Sequence, residues 1–235
     1  LTLTAGTGDI ALDGAVGGTT HLGAIDIASA ADVDAVAITA ASLLQQAGTG
    51  TTTLAGAIDT DGAAGVSLTG TNLALNNSLT TTNAGTVTVT QSGTATLAAA
   101  GDITADGAVS LTATGGITTA GDITTTADNI TLSSATTLTD DVAMSTGATG
   151  GTITFSSTLD GTTAGQEDLT LTAGTGDIAF DGAVGGTTRL GAVTVNSAAT
   201  LDTDSTFTAS SFTQNAGSVL SQFNGAVDLT GAFDF

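Results

Sequence analysis

Residues 1–24, LTLTAGTGDIALDGAVGGTTHLGA, return at residues 169–192 as LTLTAGTGDIAFDGAVGGTTRLGA, differing only at Leu12/Phe180 and His21/Arg189. A chain that restates itself this closely after 168 residues is an array of small units, and the repeat limits the fold before any other feature does. Whatever the segment does, it does periodically. The copy runs on past residue 192 with some drift: Ser29-Ala30-Ala31 answers to Ser197-Ala198-Ala199, and Gly56-Ala57-Ile58-Asp59 to Gly225-Ala226-Val227-Asp228. The offset grows from 168 to 169 residues between those two points, a one-residue insertion of the kind a solenoid corner tolerates.

A shorter period lies inside the long one. A β-like phrase begins at Leu1, Leu22, Leu43, Val66, Thr86, Val109, Ile130, Thr152, Leu169, Leu190 and Phe212, in steps of 17 to 23 residues. Eight such steps carry Leu1 to Leu169, and 168 is eight times 21, so the long repeat reads as eight short ones. Each phrase alternates, as in Leu1-Thr2-Leu3-Thr4, Val87-Thr88-Val89-Thr90, Val109-Ser110-Leu111-Thr112 and Ile130-Thr131-Leu132-Ser133. Period-two alternation over four or five residues marks a short strand with one buried face. A second short strand often follows, as in Asp9-Ile10-Ala11-Leu12 or Asp102-Ile103-Thr104, with Gly, Asp and Asn at the corners between them, where the chain needs positive φ or side-chain turn bonds.

No unit of this size buries its apolar face alone. Stacking gives each Leu, Val or Ile a like neighbour about 4.8 Å above and below. The expected fold is therefore all-β: a parallel β-helix of about 21 residues per coil and about eleven coils, about 50 Å long at that strand spacing. A string of immunoglobulin-like sandwiches would need about 100 residues per domain and usually an aromatic core; neither that period nor those aromatics are present. Residues 1–235 are expected to form one continuous solenoid segment, with a long unit at 1–168 and the start of the next at 169–235. With Leu1 inside a repeat and no initiator Met, signal peptide or polar cap in view, the expectation is a piece of something longer.

Composition sets the function classes aside one by one. Lys and Arg together number one against 22 Asp and Glu, for a formal net charge of −21. Nothing is available to neutralise phosphates, which argues against nucleic-acid binding, and anionic membrane surfaces would repel the chain. Cations, and surfaces carrying them, are the natural partners. No stretch approaches the roughly 18 apolar residues of a membrane helix, and a membrane barrel would want aromatic girdles, whereas Trp and Tyr are absent; membrane insertion is not expected. Seven Phe are the only aromatics, which predicts no large aromatic-centred core. The absence of Cys fits a surface protein that needs no disulfides.

Phrases such as LTLTAGTGDIALDGAVGG, GDITADGAVSLTATGGITTAGDITTT and ADNITLSSATTL resemble the repeat tracts of very large bacterial surface proteins, in the style of filamentous-haemagglutinin-like adhesins and matrix fibres. The resemblance covers essentially the whole chain. It implies a right-handed parallel β-helix, an extracellular or cell-surface location, and a role in adhesion or matrix building. The secretion domain of such proteins is not visible in this sequence.

Candidate chemistry is sparse. His21 and Arg189 occupy the same place in the two copies; a catalytic role would demand one chemistry there, so the position reads as an exposed corner that tolerates polar residues. Acidic pairs recur at Asp9/Asp13, Asp32/Asp34, Asp59/Asp61, Asp102/Asp106, Asp177/Asp181 and Asp202/Asp204. Some parallel β-helix enzymes cut polysaccharides with clustered carboxylates, but these pairs are scattered over many coils and the chain has no Lys, so no catalytic residue is expected. Ca²⁺ takes six to eight oxygens, often from Asp. Asp residues at i and i+2 on a strand point the same way, which makes Asp59, Asp61, Asp202 and Asp204 the candidate Ca²⁺ ligands; no other cofactor is implied. The outward Thr and Ser positions should stack into a ladder, a surface also displayed by ice-binding solenoids, although Thr is simply a good β-former on an exposed face. The sequons at Asn76 and Asn129 read as accidental. The reading is a structural segment of an extracellular filament or matrix fibre that self-associates end to end. Its alternative is a stalk or binding surface of a secreted adhesin contacting cell-surface or matrix polysaccharide.

Overall fold

The computed structural model describes all residues 1–235 and contains strands and turns but no helix. Every strand pairing is parallel, and the chain winds as a β-solenoid of about eleven coils of about 21 residues. Three ladders run its length. The first passes through Ile25, Leu43, Val66, Val87, Val109, Ile130, Ile153, Ile178 and Leu201. The second passes through Ile10, Val33, Thr52, Leu73, Ala95, Ile117, Thr136, Leu159, Val184, Phe207 and Val227. The third links Val16, Ile38, Ile58, Leu79, Ile103, Ile123, Met144, Leu171 and Val195, with Val142, Leu169, Val193, Phe212 and Phe233 as a second inward column on the same face. Each coil visits the three faces in turn.

The alternation read from sequence is what builds these faces. In Val109–Ala113 the residues Val109, Leu111 and Ala113 are buried while Ser110 and Thr112 face outward. Stacked in register, the inward residues form one core of 48 apolar side chains that runs from Ile25 to Phe212. All nine first-ladder residues from Ile25 to Leu201 are 1% exposed or less. Burying a Leu, Val or Ile contributes about 1.5–3 kcal/mol, so the columns dominate the stability. Some polar side chains that enter the core find partners, as Gln45 does, stacked between Ile27 and Leu68 with its Oε1 accepting a hydrogen bond from the Thr52 hydroxyl at 2.8 Å; the buried hydroxyls of Thr60 and Thr203 and the Gln91 Oε1 have none.

The aromatic residues depart from expectation. All seven Phe join one chain of ring contacts in the last four coils, beginning with Phe155 stacked on Phe180 at 5.1 Å and 8° and ending with Phe233 against Phe235 at 4.8 Å. Register explains it. Phe155 and Phe180 are rung neighbours on the first ladder, so residues scattered in sequence meet in space.

The long repeat also departs from expectation. Leu1 belongs to the first ladder, because Thr2 and Leu3 pair with Asp26 and Ile27, whereas Leu169 belongs to the third, between Val142 and Val193. Likewise Ile10–Leu12 lies on the second ladder and its copy Ile178–Phe180 on the first. The 168-residue offset therefore spans seven coils and two further faces, not eight coils. The first eight phrase starts open strands that reach the first ladder; the step from Thr152 to Leu169, the shortest at 17 residues, is where the series changes face. Leu-Thr alternation is the same on every face, so the change leaves no local mark.

Local geometry is nonetheless copied. Both segments pair with the next coil in the same register, with the same irregularity after Leu3 and after Leu171. Gly17 and Gly185 both take positive φ, at 78° and 62°, and a Cβ on either would collide with the carbonyl oxygen of the next coil, that of Thr39 or Thr208. Only glycine satisfies both conditions.

The ladder assignment yields a direct test. With no native cysteine, pyrene attached at Thr154→Cys and Ala179→Cys should give strong excimer emission, because these outward residues are rung neighbours. The pair Thr154→Cys and Thr170→Cys should give monomer emission; excimer from that second pair instead would restore the eight-coil register.

Candidate functional site

The carboxylates are organised chiefly by the corners. Just before a strand begins, an Asp Oδ1 accepts the backbone N–H of the following coil: Asp9 from Asp32, Asp32 from Thr51, Asp102 from Asp122, Asp122 from Ala143, Asp141 from Asp168, Asp168 from Ala192 and Asp177 from Thr200, at 2.6–3.1 Å. Asp160 takes two such groups, from Thr187 and Thr188. Asn72 and Asn129 do the same with their amide oxygens. The local sequence favours this role: a Gly-Asp-Ile phrase, as at Gly101-Asp102-Ile103 and Gly121-Asp122-Ile123, turns the chain, offers a short acceptor and starts the buried strand. Each bond joins consecutive coils where regular pairing lapses. The phrase was readable in the sequence; that its carboxylate reaches the next coil was not.

The four candidate Ca²⁺ ligands fall out differently. Asp202 and Asp204 do converge, and the Asn224 Nδ2 donates to one oxygen of each at 3.1 Å. Asp61 is taken by His21, whose Nδ1 lies 3.0 Å from its Oδ2. Asp59 sits on the outer side of Ile58–Gly70 between Thr39 and Thr80, with which it pairs along the ladder. No group of three or more His, Cys, Asp or Glu residues is arranged to hold a metal ion.

His21 and Arg189 are more than tolerant corner residues. Each reaches an aspartate two coils further on: His21 to Asp61, and Arg189 to Asp228, 2.7 Å from NH2 to Oδ2. The Arg189 guanidinium also donates to the carbonyls of Ala209 and Asp228 at 2.6 and 2.8 Å. Exposed pairs of this kind contribute about 0–1 kcal/mol. Their interest is positional, because the same corner is tied the same way on two different faces.

Two carboxyls are held below their ordinary pKa range. Asp106 accepts hydrogen bonds from the Ala84 N–H and the Thr126 hydroxyl, which favour its charged form. Glu167, the sole glutamate, is buried; burial alone would raise its pKa, but the Thr162 hydroxyl and the Thr163 N–H outweigh it and hold the carboxyl down. Three shallow concavities mark the surface. The largest, about 380 Å³, lies between Gln214 and Phe235; another, of about 280 Å³, is edged by Asp122, Asp141 and Asp168, each of which has an oxygen committed to the next coil. No protein-family model, curated protein or solved structure matches the chain.

Two outcomes test the corner chemistry. Asp122→Ala should destabilise the solenoid by about 1–2 kcal/mol, read by denaturant unfolding, because it leaves the Ala143 N–H without its charged acceptor while relieving some repulsion between stacked carboxylates; Asp122→Asn keeps an acceptor and should lose less than half as much. The lowered Glu167 pKa stabilises the folded segment above the carboxyl's ordinary value of 4.5 and that stabilisation is lost as pH falls through the folded value. The protection factor of the Thr163 amide, its exchange rate referred to the intrinsic rate at the same pH, should therefore fall on acidification below about pH 4.5 and stay flat above it; a protection factor that rises on acidification would disprove the linkage.

Proposed function

We propose that this chain is a structural segment of an extracellular bacterial filament or matrix fibre, built from stacked coils that associate end to end. The observation that carries this reading is a single apolar core running unbroken through about eleven coils, with each coil bonded backbone to backbone to the next. Such a molecule spreads axial load over many parallel bonds, so its work is mechanical. The net charge of −21 keeps neighbouring fibres apart and leaves divalent cations such as Ca²⁺ as the natural lateral link. The resemblance to filamentous-haemagglutinin-like repeat tracts supports the same class and an extracellular location.

The second reading, a stalk or binding surface of a secreted adhesin, is favoured by one feature of the first face. Ser67, Thr88, Ser110, Thr131 and Thr154 form one outward column, and Thr69, Thr90, Thr112, Ser133 and Ser156 a second beside it. This hydroxyl-bearing, uncharged strip within an acidic surface suits a polysaccharide better than a charged partner. Ice presents the other regular hydroxyl-matched surface and is the lesser candidate.

Concentrated protein should assemble into unbranched fibres with an axial diffraction spacing near 4.8 Å. Chelation by EDTA should separate lateral bundles without dissolving single fibres. Monomers at every concentration, with retention on a polysaccharide matrix that Thr88→Lys and Thr131→Lys abolish, would replace the filament with the adhesin reading.

A further inference from the structure

The carboxylates of the middle coils lie on one side of the molecule. Residues 46–158 hold eight Asp and no other ionisable side chain. Asp59 is on the outer side of the third face, and Asp61, Asp106 and Asp128 edge the corner leading from it to the first face. Asp102, Asp122, Asp140 and Asp141 edge the corner by which the chain reaches the third face from the second. The first face, the second face and the corner between them carry no charge over this stretch. Along the outward column of the first face the limits are sharp. Seven uncharged residues, from Leu44 to Ala179, separate Asp26 from Asp202.

The needs of the backbone do not explain the gap. At the corner before the second face, Asp9 and Asp32 each accept an N–H of the following coil. Two coils beyond Asp32 the same bond is made without charge, from the Thr94 N–H to the Asn72 Oδ1 at 2.9 Å. At the corner before the third face, Asp102, Asp122 and Asp141 keep the carboxylate for that bond. The backbone chemistry is shared, and the charge is dropped on one side only.

We propose that the uncharged strip of the first face is a lateral docking surface for a second copy of this chain, the two strips lying face to face and both solenoids running the same way. For a chain of net charge −21, the strip is a lane along which two copies approach without bringing carboxylates together. Its side chains are short, Ser and Thr above all, so they lose little rotamer freedom on contact and let two sheets close to about 10 Å. It offers no aromatic ring on which a sugar could stack, and a second copy fits it better than a polysaccharide. The orientation follows from Asp61, Asp106 and Asp128, which edge the strip on one side. A two-fold axis along the fibre reverses the strands and lays that acidic edge against the partner's uncharged corner. A two-fold axis along the strands would stack acid on acid, which opposes association. Five coils at about 4.8 Å and strands of about 16 Å give about 400 Å² per copy. The total of about 800 Å² is the size of a weak, reversible contact, which stacking segments end to end multiplies. The contact thus rests on the fibre reading for its strength, and the single fibre that EDTA leaves is a pair of solenoids.

Sedimentation equilibrium of the chain in EDTA, from micromolar to millimolar concentration, tests the contact. A reversible dimer is expected. Thr90→Asp with Thr112→Asp should weaken it at least about 10-fold, because each new acid faces the other copy. Thr104→Asp with Thr124→Asp adds the same charge to the outer side of the third face and should weaken it less than about 2-fold. Pyrene on Ser67→Cys should give excimer within the dimer; excimer only on mixing Ser67→Cys with Ser156→Cys protein would overturn the parallel arrangement. A monomer throughout, equal losses from the two double variants, or retention on polysaccharide by a chain that stays monomeric would overturn the proposal. Fibres that electron microscopy shows as single solenoids in EDTA would overturn the pairing alone. Dimers without fibres would support the contact and count against the fibre reading alone.

Discussion

Everything in this molecule depends on parallel register between coils. A strand of three residues such as Ile123–Thr125 cannot stand alone; it exists because its backbone is bonded to one strand in the preceding coil and another in the following coil. The same register places an apolar side chain over an apolar side chain at each inward position. A shift of one residue would turn a whole column outward, so the hydrophobic pattern and the hydrogen-bond ladder enforce each other. Polar intrusions follow the same register, some with a partner on hand, as with Thr52 and Gln45, and others, such as the Thr60 and Thr203 hydroxyls, without one.

That constraint is periodic in faces rather than in coils, and this explains the behaviour of the long repeat. The duplicated segment needs only a face to begin on and a following coil to pair with; which of the three faces it meets is immaterial, since all carry inward aliphatic residues. The corners absorb the difference. Residues 17–21 and 161–168 lengthen the corners they occupy without inserting an extra face. The consequence is that the GGTT corner projects between the third and first faces in one copy and between the second and third in the other. A feature that repeats in sequence is thus displayed in a new direction, whereas an array of whole coils would have stacked it along one edge.

The sequence disclosed the fold to the extent that alternation does. Leu1-Thr2-Leu3-Thr4 and its relatives announced short half-buried strands, their spacing announced coils, and Gly-Asp-Ile phrases announced corners. What it hid were relations across coils. The path from Thr152 to Leu169 looks like any other step, the Phe run emerges only when Phe155 and Phe180 are placed one rung apart, and His21 gives no hint of Asp61 from 40 residues away. The candidate metal ligands show the same division. Asp202 and Asp204 are bridged by Asn224 from the next coil, and Asp61 is engaged by a histidine two coils back, partners that their own local sequence does not announce.

The remaining puzzle is how so acidic a chain tolerates acids stacked on acids. Along one corner Asp102, Asp122, Asp141 and Asp168 follow each other coil by coil, near the spacing of about 4.8 Å between strands. In water two unit charges at such a distance repel by about 1 kcal/mol or less, and salt reduces this further. A hydrogen bond from a backbone N–H to a carboxylate contributes about 1.5–3 kcal/mol, and each of these residues makes one across the coil boundary. Attraction to the backbone therefore exceeds repulsion between neighbours, at exposed corners where no residue need be desolvated. Asn serves the same bond at Asn72 and Asn129 without the charge, so the bond alone does not require acid. The prevalence of Asp over Asn at these corners is then a property of the surface, where a high like charge holds one solenoid away from the next while the uncharged columns inside each hold it together.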